Sequence, residues 1–187
     1  MTRIVGGGAG GRRLAVPPGS GTRPTADQAR EGLFNTLVGL LDLSGTAVLD
    51  LYAGSGAIGL EALSRGADRA LFVESDPRAA RTIRTNAARL DATGARVLAD
   101  RVERVLAAPP APGAVYDLVF ADPPYATADD EVDRMLADLV DRGWLAGGAV
   151  LVVERGRRSP APNWPTGVAP LKSRRYGEAV LWYGRRP

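Results

Sequence analysis

No cysteine and no histidine occur among the 187 residues. Without cysteine there is no disulfide, no thiolate zinc site and no thiol nucleophile. Without histidine there is no imidazole general base, and zinc loses another of its usual ligands. Lysine is almost missing as well: of 24 basic residues, Lys172 alone is a lysine. No apolar run approaches the roughly 18 residues that a membrane helix needs. The N-terminus carries no apolar signal core followed by a cleavage site. A cytoplasmic location is therefore expected, with no membrane partner and no metal.

The composition that remains, 45% hydrophobic and 24% charged, is that of a globular chain able to bury its own core. The length fits one domain with a short appendage. The net charge of +3 hides an uneven distribution. Residues 1–35 hold five arginines against Asp27 and Glu31, and residues 151–187 hold seven arginines and Lys172 against Glu154 and Glu178. The middle is correspondingly acidic. Basic ends around an acidic centre point to a polyanion held by the ends. Arginine suits that task, because its planar fork meets phosphate oxygens in pairs.

Residues 1–24 are rich in Gly, Arg and Pro and read as a basic arm or small hairpin, with residues 25–187 forming the main domain. The Gly6-Gly7-Gly8 run beside Arg12 and Arg13 reads as a flexible, phosphate-seeking segment. Thr25 and Gln28 have capping-box spacing at a helix start, followed by Ala29, Leu33, Leu37, Leu40 and Leu41 at helical intervals. Strands and helices then alternate. Strands are predicted at 47–51, 70–73, 96–99, 116–121 and 149–153, with helices at 56–65, 76–90 and 129–141. Asp76-Pro77 marks a helix start, and Asp100 is placed to cap a short helix toward Leu106. A last strand at 179–183 is expected to be antiparallel, paired near 171–176. The implied fold is α/β: a mostly parallel, Rossmann-like sheet covered on both faces, with ligands beyond the carboxyl ends of its strands.

The first strand–helix junction carries Asp50-Leu51-Tyr52-Ala53-Gly54-Ser55-Gly56-Ala57-Ile58-Gly59. The glycines at 54, 56 and 59 make a G-x-G-x-x-G loop, and Glu74 follows at the end of the next strand, where a carboxylate can accept both ribose hydroxyls. Asp50 stands where the pyrophosphate of a dinucleotide would lie and would repel it. S-adenosylmethionine has no phosphate and carries two positive centres, so it is the favoured cofactor. Its predicted binding set is Asp50, Tyr52, Ala53, Gly54, Ser55, Gly56, Glu74 and the adjoining Ser75. Asp100 and the adjoining Arg101 complete the set, with Asp100 meeting the adenine amino group.

The sharpest signal is Asp122-Pro123-Pro124-Tyr125 at the end of an apolar strand. An exocyclic amino nitrogen is a poor nucleophile, because its lone pair is delocalised into the base. Two acceptors on its N–H groups, the Asp122 carboxylate and the Pro123 carbonyl, can draw it toward a tetrahedral shape. Prolines fix φ and stiffen the loop. Tyr125 offers a face for stacking, and a paired base must leave its helix to reach the pocket. Methylation of a pyrimidine ring carbon, which ordinarily uses a cysteine, is excluded by composition.

The glycine loop followed by Asp-Pro-Pro-Tyr resembles the amino-group methyltransferases of nucleic acids. Arg3-Ile4-Val5-Gly6-Gly7, Arg12-Arg13-Leu14, and Arg23-Pro24-Thr25 with Asp27, Arg30-Glu31 and Leu33-Phe34-Asn35 resemble more closely the RsmD-type family, as do residues 50–65 and Tyr176-Gly177-Glu178. That resemblance implies a class I S-adenosylmethionine-dependent enzyme acting on guanine N2 of 16S ribosomal RNA, alone or in the assembled small subunit, and working as a monomer. It assigns catalysis to Asp122, Pro123, Pro124 and Tyr125, and RNA contact to Arg12, Arg13, Arg23 and Thr25. Three other readings remain: a DNA adenine-N6 methyltransferase, an NAD-dependent oxidoreductase on the same sheet, and a non-catalytic RNA-binding protein. The short chain with no separate target-recognition domain favours RNA over DNA.

Overall fold

The computed structural model describes residues 2–17 and 24–187. The elements are α1 (Pro24–Val38), β1 (Ala47–Leu51), α2 (Ala57–Ser64), β2 (Arg69–Val73), α3 (Pro77–Arg89), β3 (Ala95–Leu98), α4 (Val102–Leu106), β4 (Tyr116–Ala121), α5 (Asp129–Asp141), β5 (Leu145–Gly156), β6 (Ala169–Tyr176) and β7 (Ala179–Arg185). The seven strands form one sheet in the order β3-β2-β1-β4-β5-β7-β6. The first five are parallel, and β7 runs antiparallel between β5 and β6. The predicted α/β class and the antiparallel last strand are both present.

Strand periodicity sorts the side chains of β1 onto two cores. Val48 joins Leu60, Phe72, Ile83 and α1 residues Leu33, Phe34 and Leu37 on one face. Leu49 and Leu51 join Val102, Leu106, Leu136 and Leu139 on the other. Asp50 shares the face of Val48, and so it points at α2. The chain winds outward from β1 through β2 to β3, then returns to β4 on the other side. The order therefore reverses between β1 and β4, and a crevice opens there beyond the carboxyl ends of the strands.

Several predicted boundaries move. Helix α1 begins at Pro24, a residue whose fixed φ suits a first helical position. Helix α2 starts one residue late, because Gly56 sits before it at φ 78. Strand β5 extends well beyond 149–153, since it pairs with both β4 and β7. Asp100 does not cap α4: the residue at the cap is Arg101, and Asp100 instead accepts the Arg101 N–H at 2.8 Å and pairs with Arg104 at 3.4 Å. Asp76 does cap α3, accepting the Arg78 N–H at 2.8 Å. Arg23 and the Thr25 side chain, and with them the Thr25–Gln28 capping box, lie outside the described residues.

The arm is not a loose tether. Arg3 and Arg13 form an antiparallel bridge, and Ile4 and Leu14 enter the core. The glycine run is pressed onto the C-terminal end of α2, where Gly8 N–H donates to the Ser64 carbonyl at 2.8 Å. A Cβ on Gly7, at φ 76, would stand 1.8 Å from that carbonyl oxygen. Gly7 is glycine because the backbones touch there, and the flexible reading of Gly6-Gly7-Gly8 gives way to a packed one. Glu61 of α2, fully buried, takes the N–H groups of Val5 and Gly6 at 2.7 and 2.8 Å. No helix among the described residues is long and apolar enough to cross a membrane.

Candidate active site

The crevice between β1 and β4 opens into a cleft of about 250 Å³. The glycine loop forms one wall through Tyr52, Ala53, Gly54 and Ser55, and Asp50 lies at its base. Asp122 closes it from the end of β4, and Thr2, Val16 and Pro17 of the arm complete the rim. Sequence elements about 70 residues apart thus converge because β1 and β4 are direct neighbours, with Leu51 opposite Ala121.

Each part of the glycine loop is held by a carboxylate. Asp50 Oδ2 accepts the Gly59 N–H at 2.9 Å, which pins the first turn of α2 to β1. Gly59 itself lies against Phe72, where an added Cβ would come within 2.4 Å of the ring. Glu74 accepts the N–H groups of Gly54 and Asp76, both at 2.8 Å. Tyr52 takes a left-handed φ of 57, a conformation that costs free energy in a bulky residue and is retained only where surroundings enforce it. Its hydroxyl donates to Glu103 at 3.4 Å.

The acceptor motif is braced from below. Pro123 is buried and Pro124 accepts the Thr127 N–H at 2.9 Å, which closes a turn. Arg155, 7% exposed, donates to the Thr127 carbonyl at 3.1 Å and to Asp129 at 2.7 Å, so β5 grips the far end of the loop. Tyr125 is 72% exposed and leans over Gly156.

The cleft is acidic. Burial drives the Asp50 carboxyl up to about 8, the Gly59 N–H opposes this, and Asp122 and Glu74 add repulsion. Burial raises Asp122 to about 6. Water reaches Asp122, yet protein crowds it closely enough to disfavour its charge. Burial and the Asp122 charge raise Glu154 to about 8. Sites that crowd like charges this way favour a cationic ligand.

The predicted cofactor residues fall into two adjoining depressions that share Tyr52. Asp50, Ala53, Gly54 and Ser55 line the main cleft, while Ser75 and Arg101 line a second one with Pro124. Gly56, Glu74, Asp100, Pro123 and Tyr125 line neither. Glu74 acts on the loop through Gly54, and Asp100 is engaged by its own helix. Arg12 lies at the far end of α3, donating to the Arg89 carbonyl and pairing with Asp91 at 3.8 Å. Its neighbour Arg13 is exposed. Among the described residues no acidic group is arranged to hold a metal.

Three residues were not foreseen. Glu154 lines the cleft next to Asp122. It had a detectable signal, since it follows an apolar strand as Glu74 and Asp122 do. Asn86 had none, and Arg30 had only its place in the family signature: both are buried polar groups inside helices, and each binds the arm, Asn86 through Ala15 and Arg30 through the Arg3 carbonyl.

The site fits S-adenosylmethionine better than a dinucleotide. A pyrophosphate needs free loop N–H donors, and here two of them, on Gly54 and Gly59, are taken by carboxylates. Fold and cleft define a Rossmann-like S-adenosylmethionine-dependent methyltransferase. A family model described as "Conserved hypothetical protein 95" matches residues 2–185, and the chain belongs to that family, the RsmD family. It is 39% identical over 163 residues to Ribosomal RNA small subunit methyltransferase D of Escherichia coli K12, covering 87% of this chain and 79% of that one. The protein of the same name from Haemophilus influenzae is 32% identical, covering 87% and 84%. The solved structure of yhhF from Escherichia coli superposes with a TM-score of 0.86 at 34% identity, covering 98% and 97%.

Proposed function

We propose that this protein transfers a methyl group from S-adenosylmethionine to the N2 amino group of a guanine in 16S ribosomal RNA. The observation that carries the proposal is the convergence of Asp122 with Asp50 and the glycine loop in one acidic cleft. When bound, S-adenosylmethionine supplies the electrophilic methyl carbon. Asp50 shapes the loop and adds negative charge beneath it. Glu74 fixes the loop from the opposite side and keeps lone pairs free for ribose hydroxyls. Asp122 and the Pro123 carbonyl accept the two amino hydrogens and turn the nitrogen lone pair into the cleft. Tyr125, exposed at the rim, stacks on the base after it leaves its helix. Such positioning replaces a bimolecular encounter, and effective molarities of about 10⁵ M or more are attainable.

The arm, residues 1–24, is read as the RNA-contacting appendage of a methyltransferase domain spanning 25–187. Arg13, exposed in the structure, and Arg23 are its phosphate contacts, with Thr25 two residues beyond Arg23. Arg12 contributes less, because the protein already engages it. The protein is read as a cytoplasmic monomer, acting on RNA or the assembled small subunit. Incubating it with labelled S-adenosylmethionine and stripped 16S RNA, assembled small subunits or duplex DNA tests the reading. Label in N2-methylguanosine of the RNA is expected, and label only in DNA N6-methyladenine would replace it with the adenine reading.

A further inference from the structure

The Asp-Pro-Pro-Tyr motif accounts for an amino group but not for the kind of base that carries it. Adenine, cytosine and guanine all present an exocyclic NH₂. What differs is the adjacent ring nitrogen. In adenine and cytosine it holds a lone pair, and only in guanine does it carry a proton. A site that reads that one position separates guanine from both others.

Glu154 occupies the place where such a reader would stand. The register that pairs Ala121 with Val153 brings Asp122 and Glu154 side by side at the ends of neighbouring parallel strands. Both carboxylates line the same cleft. The other acidic groups near it are occupied: Asp50 by the Gly59 N–H, Glu74 by those of Gly54 and Asp76, and Asp27 by Arg30 at 3.2 Å. Glu154 is partly buried, and among the described residues its side chain makes no hydrogen bond or ion pair. The adjacent Arg155 does not neutralise it, being turned to Thr127 and Asp129. Glu154 lies on the β5 side of Asp122, away from the β1 glycine loop, and so on the side left for the base.

We infer that Glu154 accepts the ring N1–H of the target guanine while Asp122 and Pro123 hold its N2 amino group, making Glu154 the residue that selects guanine. This rests on the methyltransferase reading above. An ionised carboxylate only accepts hydrogen bonds. Set against guanine it gains a charge-assisted bond, and set against adenine or cytosine it faces a lone pair. Burial, with the Asp122 charge second, lifts Glu154 to about 8, and N–H donors entering between the two carboxylates favour the ionised form against both. The assignment also explains why a carboxylate is tolerated beside Asp122 at all.

The test uses the full-length protein, with kcat/KM measured on a ribosomal RNA fragment carrying guanine or 2-aminopurine at the methylated position. 2-Aminopurine keeps the N2 amino group but has a lone pair at N1. The unsubstituted enzyme should lose about 100-fold on this change, the scale of one hydrogen bond to a charged group left unmade. In Glu154→Gln the ratio should shrink at least tenfold, because an amide can donate to the N1 lone pair. Loss of the guanine O6 affects both enzymes and cancels in the comparison. Calorimetric binding of S-adenosylmethionine checks that the variant is folded. A ratio near one in the unsubstituted enzyme overturns the inference without any variant, and so does an equal ratio in both enzymes. No transfer to the guanine fragment would instead remove the guanine reading itself, and this inference with it.

Discussion

Asn86 holds Ala15 through both ends of its amide: Oδ1 accepts the Ala15 N–H at 2.8 Å and Nδ2 donates to the Ala15 carbonyl at 2.9 Å. The same Nδ2 donates to the Ser55 carbonyl at 3.1 Å. One fully buried side chain on α3 therefore joins the arm to the glycine loop. Asn86→Ala leaves these backbone groups without their partner, and the expected loss in urea unfolding is about 1–3 kcal/mol. The Kd for S-adenosylmethionine should rise as well, because Ser55 is released. An unchanged Kd would mean that the loop keeps its shape without the clamp.

In the proposed mechanism, Asp122→Ala removes one of the two acceptors on the reacting amino group. Turnover should fall at least about 100-fold, as when one electrostatic partner of a transition state is deleted. Binding of S-adenosylmethionine should survive, because Asp50, Gly54 and Glu74 are untouched. Single-turnover kinetics paired with calorimetry separates the two effects.

The raised carboxyls fix the sign of the pH dependence. Asp50 and Glu154 sit at about 8 and Asp122 at about 6, all above the ordinary carboxyl range. Between that range and about 8 the folded protein holds protons that the unfolded chain has released. The contribution of these three groups to the stability of the cofactor-free protein is therefore greatest in acid, and is lost as pH rises toward the folded values. A cationic ligand favours the ionised carboxylates. Affinity for S-adenosylmethionine should rise across the window from about 6 to about 8, with protons released on binding. Calorimetry in buffers of different ionisation enthalpy reads both, and an affinity that falls with pH would contradict the assignment.

Arg12 and Arg13 are adjacent in sequence but not equivalent in the structure. Arg12 is engaged by Arg89 and Asp91, while the Arg13 side chain is exposed without an ion pair among the described residues. Arg13→Ala should lower the slope of log affinity against log salt for RNA by about 0.7–0.9, one phosphate contact. Arg12→Ala should change it less. Equal effects would mean that RNA displaces the Asp91 pairing.

Much of this site was legible because its chemistry lies in short contiguous motifs. The Asp50-to-Gly59 loop, Glu74 and Asp122-Pro123-Pro124-Tyr125 each end a strand whose apolar run is obvious. The sheet alternation then implies that they meet along one edge. Strand β4 and helix α5 came out with their predicted limits, being bounded by clear turn residues. What sequence pattern did not reveal depends on pairing at long range. Asn86 and Glu61 read as ordinary polar positions of a helix until the arm's backbone is laid beside them. Gly6 to Gly8 read as flexible because a pattern cannot show that another helix end lies against them. Strand β5 was drawn short because its two ends are set by pairing, Leu145 with Tyr116 of β4 and Glu154 to Gly156 with β7.

The proposed function requires Asp122 to present a guanine amino group to a methyl donor held by the Asp50 loop. Its most direct test is mass spectrometry of ribosomal RNA nucleosides from cells that have or lack the gene, complemented with the unsubstituted or the Asp122→Ala protein. N2-methylguanosine in small-subunit RNA should decrease on deletion, return with the unsubstituted protein and stay low with the variant. Unchanged N2-methylguanosine on deletion, or full restoration by Asp122→Ala, would contradict the account.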